Sequence, residues 1–179
     1  MNYELYHYGV KGMKWGVRRR TDKPYTNKKE IDNIKTYSKN GVEVSFSRKP
    51  TPLIVRSLSK VSKKMRDNVD RSDIMSINVQ GKKVGDLQLY KESDKSLNVV
   101  WVSVDKDHEG NGYGEAAMKA VIKYAKDTNL ETITLEVPGT SPNARHIYEK
   151  LGFESGKRLT DNDDVWGGLT EMKLNVNRK

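Results

Sequence analysis

The chain contains no cysteine, which excludes disulfides, thiolate catalysis and cysteine zinc sites. Its three histidines, His7, His108 and His146, are scattered, so a structural metal is not expected. No apolar run approaches the roughly 18 residues needed to cross a bilayer. The segment Met1 to Tyr8 also lacks the apolar core of a signal peptide, and a cytoplasmic protein is expected. A mean hydropathy of -0.82 with 35% hydrophobic residues fits a water-soluble chain. Its 179 residues suffice for one domain with a substantial core and an appendage, and not comfortably for two full domains.

Charge is unevenly distributed. Residues Met1 to Arg66 hold 17 Lys and Arg against 5 Asp and Glu, whereas the remainder holds 16 against 19. The net charge of +9 therefore belongs to the front third. A basic front of this kind is either a solvated arm or a contact for nucleic acid or another anionic partner.

Residues 1–25 mix glycine, bases and Trp15 without helical or strand periodicity and read as a flexible basic arm; residues 26–179 read as the folded domain. Within that domain, Ile31, Ile34 and Tyr37 recur at helical spacing, which predicts an amphipathic helix over Thr26 to Asn40 stopped by Gly41. Val42, Val44 and Phe46 alternate with polar residues as a strand. A second helix opens with Thr51 as N-cap and Pro52 at the first helical position. From Asp73 the apolar period becomes two: Met75, Ile77 and Val79 mark one strand, Val84, Leu87 and Leu89 a second with a bulge at Gly85, and Asn98 to Val104 a third. Ile133, Leu135 and Val137 form a central strand, and Val165 to Val176 the last extended segment.

The most informative stretch runs from His108 to Ala116 and joins a strand to a helix through Gly110, Gly112 and Gly114. Glycines at alternate positions let backbone approach a ligand closely, and a helix beginning there offers free N–H groups and a positive dipole end to a phosphate. This is a candidate pyrophosphate cradle; a tight turn with no ligand satisfies the same pattern. About thirty residues on, Leu135-Glu136-Val137 closes another strand, and Ser141 to Leu151 follows as a short helix stopped by Gly152.

Together these two motifs, over roughly Asp73 to Val176, resemble the GNAT family of acetyl-CoA-dependent N-acetyltransferases. Gly112 and Gly114 match the glycines of the family's acyl-CoA loop, while Glu109 stands where the family has Gln or Arg. Ala144, Tyr148, Leu151, Gly152 and Phe153 match its second signature. The customary Asn seven residues before the tyrosine is Ser141 here, with Asn143 displaced by two. The resemblance implies an α/β fold with a mixed, mostly antiparallel central sheet flanked by helices, and acetyl-CoA as acyl donor.

It further implies that backbone at Val102, Ser103 and Val104 pairs with the pantetheine arm. Glu109, Gly110, Asn111, Gly112, Tyr113, Gly114 and Glu115 then surround the pyrophosphate, with Asn143 a further contact. Tyr148 falls in the family position of the general acid, the alternative being a core tyrosine packed on Phe153. Glu136 is the candidate general base, because apolar neighbours raise the pKa of a carboxylate they bury; the alternative is a solvated strand carboxylate. Asp105, Asp107 and His108 are loop residues first and a proton relay second. Asp161, Asp163 and Asp164 form either an ordinary turn or an acidic lure for a cationic amine.

The segment Tyr8 to Arg19 resembles a short tag recurring in proteins of tailed bacteriophages, which suggests a phage-encoded protein in the cytoplasm of a bacterial host, with virion association through the arm. Two functions follow. One is an N-acetyltransferase acting on an amine of a protein or small molecule. The other is a non-catalytic virion or assembly module that keeps the fold and contacts phage structural proteins through the arm. Nucleic-acid binding rests on charge alone, and no membrane partner is expected.

Overall fold

The computed structural model describes residues 31–49, 72–160 and 167–177. The basic arm, the helix expected from Thr51, and Asp161, Asp163, Asp164, Val165 and Trp166 lie outside the described residues.

The described residues build one eight-stranded sheet in the order β1-β2-β3-β4-β5-β6-β8-β7. Its strands are β1 (Thr36–Tyr37), β2 (Glu43–Arg48), β3 (Ser72–Val79), β4 (Lys82–Ser93), β5 (Ser96–Val104), β6 (Thr132–Pro138), β7 (Glu154–Arg158) and β8 (Leu169–Asn175). Helix α1 (Tyr113–Asp127) joins β5 to β6, and α2 (Pro142–Lys150) joins β6 to β7. Neighbouring strands are antiparallel except β5 and β6. The sheet is thus mixed and mostly antiparallel, as expected.

Both helices make crossovers between strands that point the same way, and both step across the sheet in the same direction. The right-handed rule therefore puts them on one face, and the Lys150 ammonium on α2 reaches the Glu115 carboxylate on α1 at 3.3 Å. That face holds the core. Phe46, Ile77, Leu87, Val99, Leu135 and Met172 are all 5% exposed or less, and full burial of each such side chain contributes about 1.5–3 kcal/mol. On α1, Ala117, Met118, Val121 and Ala125 close against it. Strand alternation sends Gln88, Ser103, Thr134, Glu136, Glu171 and Lys173 to the other face, which is polar.

Gly85 sits at a bulge, as expected: the β3–β4 register shifts between Ile77 and Asn78, opposite Gly85. A Cβ at Gly85 would lie 2.1 Å from the Ser103 carbonyl oxygen, so only glycine lets β4 approach β5 this closely.

The expected helix over Thr26 to Asn40 is corrected for its described part. Ile31–Asn33 is a single 3-10 turn, and Thr36–Tyr37 is strand β1. Ile31 and Ile34 are buried, as a helix would have them, but the period then switches to two: Thr36 and Ser38 are buried while Tyr37 is 50% exposed. Pairing with β2 and a hydrogen bond from Thr36 Oγ1 to the Ala116 carbonyl, 3.0 Å, outweigh local helical spacing. Strand β7 was not foreseen. Its sequence, Glu-Ser-Gly-Lys-Arg, is exposed throughout and shows no alternation, so only the free edge of β8 calls it into existence.

Candidate active site

Parallel pairing of β5 with β6 is short. It runs from Ser96 opposite Thr132 to Val99 opposite Leu135 and then ends, although β5 continues to Val104 and β6 to Pro138. The β4–β5 register also shifts here, leaving Val100 as the extra residue between Val99 and Trp101; a bulge bends its strand and increases its twist. The two strands therefore fork. The backbone of Val102, Ser103 and Val104 pairs with β4 on one side and, among the described residues, with no strand on the side of β6. That open edge can accept an extended ligand by backbone pairing.

At the mouth of the fork α1 begins. Gly112 is its N-cap in the left-handed conformation (φ 78°), with no side-chain cap, and Gly110 is also left-handed at φ 74°. The Ala116 N–H reaches the Gly112 carbonyl at 3.0 Å, which starts the helical ladder. Tyr113, Gly114 and Glu115 therefore present N–H groups at the positive end of the dipole. Asn111 braces the loop by donating its side-chain amide to the His108 and Glu109 carbonyls at 3.0 and 3.1 Å. Asp105 and the turn Lys106–His108 only bridge β5 to this loop: Asp105 and Asp107 are exposed, and the His108 N–H bonds the Asp105 carbonyl.

A diphosphate fits such a nest only if the nearby carboxylates are turned from it. Glu115 is. Lys119 at 2.9 Å and Lys150 at 3.3 Å hold its carboxylate, and the Lys119 hydrogen bond leads in keeping its pKa below the usual value. Glu109 is different, for its Oε1 is buried without a hydrogen-bond partner among the described residues.

Tyr148 on α2 is fully buried in the core, its ring 5.7 Å from that of Phe153. Burial pushes its hydroxyl well above the ordinary tyrosine value, so it stays protonated. Glu136 is the first residue of β6 beyond the end of the β5 ladder, partly buried, and its side chain leaves the sheet on the polar face. Burial, reinforced by the charge of Glu171, raises its pKa to about 7. Tyr148 thus lies on the core side of the sheet and Glu136 on its polar face. Asn143 is exposed on the first turn of α2, whose N-cap Ser141 makes no side-chain cap.

Two neighbours escaped sequence reading. The turn after β1 carries Lys39 onto the glycine loop, where a Cβ at Gly112 would stand 3.2 Å from Lys39 Cγ. Glu171 on β8 stands directly opposite Glu136. Both are non-local pairings that only strand register creates.

Residues 46–153 match the Acetyltransferase (GNAT) family, a span that starts in β2, earlier than the resemblance seen from the motifs. A family of unknown function (DUF7211) matches residues 1–22. Over 80 residues the chain is 30% identical to N-acetyltransferase 8B of Homo sapiens, covering 44% of this chain and 34% of that protein. It is 38% identical over 52 residues to mycothiol acetyltransferase of Propionibacterium freudenreichii, covering 29% of this chain and 17% of the relative. The matched part spans about a third of the first relative and about a sixth of the second. In fold, the chain is similar to a GNAT family acetyltransferase from Elizabethkingia anophelis solved with acetyl-CoA bound. The TM-score is 0.57 at 15% identity, over 74% of this chain and 97% of that one. The family match covers more than half of the chain and contains both the glycine loop and the helix of Tyr148: the chain belongs to the GNAT acetyltransferase family.

Proposed function

We propose that the protein is an N-acetyltransferase that moves an acetyl group from acetyl-CoA to a primary amine of a protein or small molecule. The observation that carries this reading is the coincidence of an open β5 edge with an uncapped, glycine-lined start of α1 at the same end of the sheet. The solved relative with acetyl-CoA bound supports the choice of donor.

Bound acetyl-CoA supplies an activated thioester, so the chain itself has to bind, orient and manage protons. The N–H groups of Tyr113, Gly114 and Glu115 would hold the diphosphate. The free edge of Val102 to Val104 would align the pantetheine chain by backbone hydrogen bonds. Glu136 takes a proton from the incoming amine on the polar face. Tyr148, kept protonated by burial, gives a proton to the leaving sulfur from the core side. Net transfer replaces a C–S bond by a C–N bond and moves one N–H proton to sulfur.

A second reading, a non-catalytic phage virion or assembly module, draws on the orphaned oxygen of Glu109 in the cradle. The tag-like segment Tyr8 to Arg19 supports a phage-encoded protein acting in the cytoplasm of a bacterial host, with the arm as its contact to phage structural proteins. Calorimetric titration with acetyl-CoA separates the two readings: the enzyme binds it, whereas the module shows no heat of binding. A mass-spectrometric screen of candidate amines with labelled acetyl-CoA then identifies the acceptor.

A further inference from the structure

Glu136 and Glu171 are register partners in the β6–β8 ladder. Directly opposed side chains in an antiparallel pair leave the same face with Cβ atoms about 4.5–5.5 Å apart, and like charges there destabilise the ladder. Room for the second carboxylate exists on β7. The β7–β8 register breaks between Ser155 and Arg158, and a Cβ at Gly156 would stand 3.6 Å from Glu171 Oε1. The other described charged groups near the pair are Lys173 on β8 and Glu154 on β7, which oppose each other two positions along the ladder, and Lys157 in the β7 break opposite Glu171; all three are exposed. From β5 the face receives Asn98, whose amide donates to Thr134 Oγ1 at 2.9 Å. Arg158, opposite Thr170, falls on the other face, where α1 and α2 lie.

We propose that Glu171 is a positioning residue for acetyl transfer: set across the ladder from Glu136, it turns two carboxyls into one proton-accepting unit that favours an acceptor arriving as an ammonium ion. This rests on the acetyltransferase reading. The ammonium R–NH3+ gives one proton to a carboxylate oxygen of the pair, and the electrons of that N–H bond stay on nitrogen as the attacking lone pair. The substrate becomes neutral, the pair drops from two negative charges to one, and the proton later leaves to water. Burial of Glu136 supplies most of its raised affinity for a proton, and Glu171 adds to it.

The test reads the pair directly. Carbon-13 NMR of glutamate-labelled protein, with the Glu136 carboxyl assigned by its loss in Glu136→Gln, follows the titration with no acceptor present. In Glu171→Gln the Glu136 midpoint should fall by about one unit yet stay above that of a free glutamate, because burial remains. Glu171→Asp should keep a midpoint near the native one. In parallel, acetylation of n-butylamine and poly-L-lysine is measured against pH, and the acid limb of kcat/KM should move down with the midpoint. A native protein that transfers acetyl while Glu171→Gln leaves midpoint and limb unchanged overturns this proposal alone. A native protein that neither binds acetyl-CoA nor transfers acetyl overturns it together with the reading on which it rests.

Discussion

The Lys39 main-chain nitrogen lies 3.3 Å from where a Cβ on Gly112 would stand, so a turn 73 positions earlier in the chain roofs the start of α1. Gly112 is then constrained twice, by its left-handed φ of 78° and by this neighbour. Gly110 shares the backbone constraint, at φ 74°, but a Cβ there meets nothing within 4 Å. Left-handed geometry costs a non-glycine residue about 1–2 kcal/mol. Gly112→Val should therefore lose acetyl-CoA binding by more than about tenfold, and Gly110→Ala distinctly less. Isothermal titration of both variants checks this, and equal losses would remove Lys39 from the account.

Gly85 makes a stability prediction. A Cβ there would stand 2.1 Å from a main-chain oxygen that cannot swing aside, so Gly85→Ala forces β4 and β5 apart beside Ser103. A loss of about 1–3 kcal/mol is expected from such overpacking. Thermal or urea unfolding measures it, and a native-like midpoint would show that the bulge has slack.

Glu109 makes the opposite kind of prediction. Its buried, unpartnered oxygen adds negative charge to a site built for anions. Glu109→Gln keeps the shape and removes the charge, and should tighten acetyl-CoA binding by about tenfold, or 1.4 kcal/mol. The gain should shrink at high salt. Unchanged affinity would mean that Glu109 faces away from the diphosphate.

Tyr148→Phe keeps the ring that packs on Phe153 and removes only the hydroxyl. If that hydroxyl protonates the leaving sulfur, kcat should fall by about a hundredfold or more, with the affinity for acetyl-CoA nearly intact. Native turnover in this variant would leave Tyr148 a core residue and nothing more.

Glu136 links activity and stability to pH. With its carboxyl raised to about 7, the proton-accepting form grows in as pH rises through that value, so kcat/KM should climb there and lose this limb in Glu136→Gln. For stability the sign is reversed. The folded-state value lies above the ordinary 4.5, so the neutral form's contribution is complete below pH 4.5 and is lost as pH rises through about 7. Glu136→Gln should therefore be more stable than the native protein at pH 8, by about 3 kcal/mol, and match it below pH 4.5. Melting temperatures across this range test it.

Much of the site was legible before folding because its parts are local. Alternating glycines before an apolar helix specify a left-handed N-cap through the backbone of a few consecutive residues. Tyr148 and Phe153 lie on one helix and its stop, and Glu136 stands out from its apolar neighbours Leu135 and Val137, although only the strand register put it on the polar face. What escaped was non-local. Ile31, Ile34 and Tyr37 satisfied helical spacing, yet pairing of Thr36 with Val44 made the end of that segment a strand. Strand β7 has no apolar residue to announce it.

By itself the chain determined strands β2 to β6 and β8, the two helices after β5 and β6, and the nitrogen-rich start of α1, since these follow from side-chain period and backbone freedom within short windows. Only the tertiary structure decided where β5 and β6 part, that Lys39 roofs Gly112, and that Glu171 meets Glu136. Register between distant strands is settled by the packing of the whole sheet, and a shift of one residue would send either carboxylate to the other face.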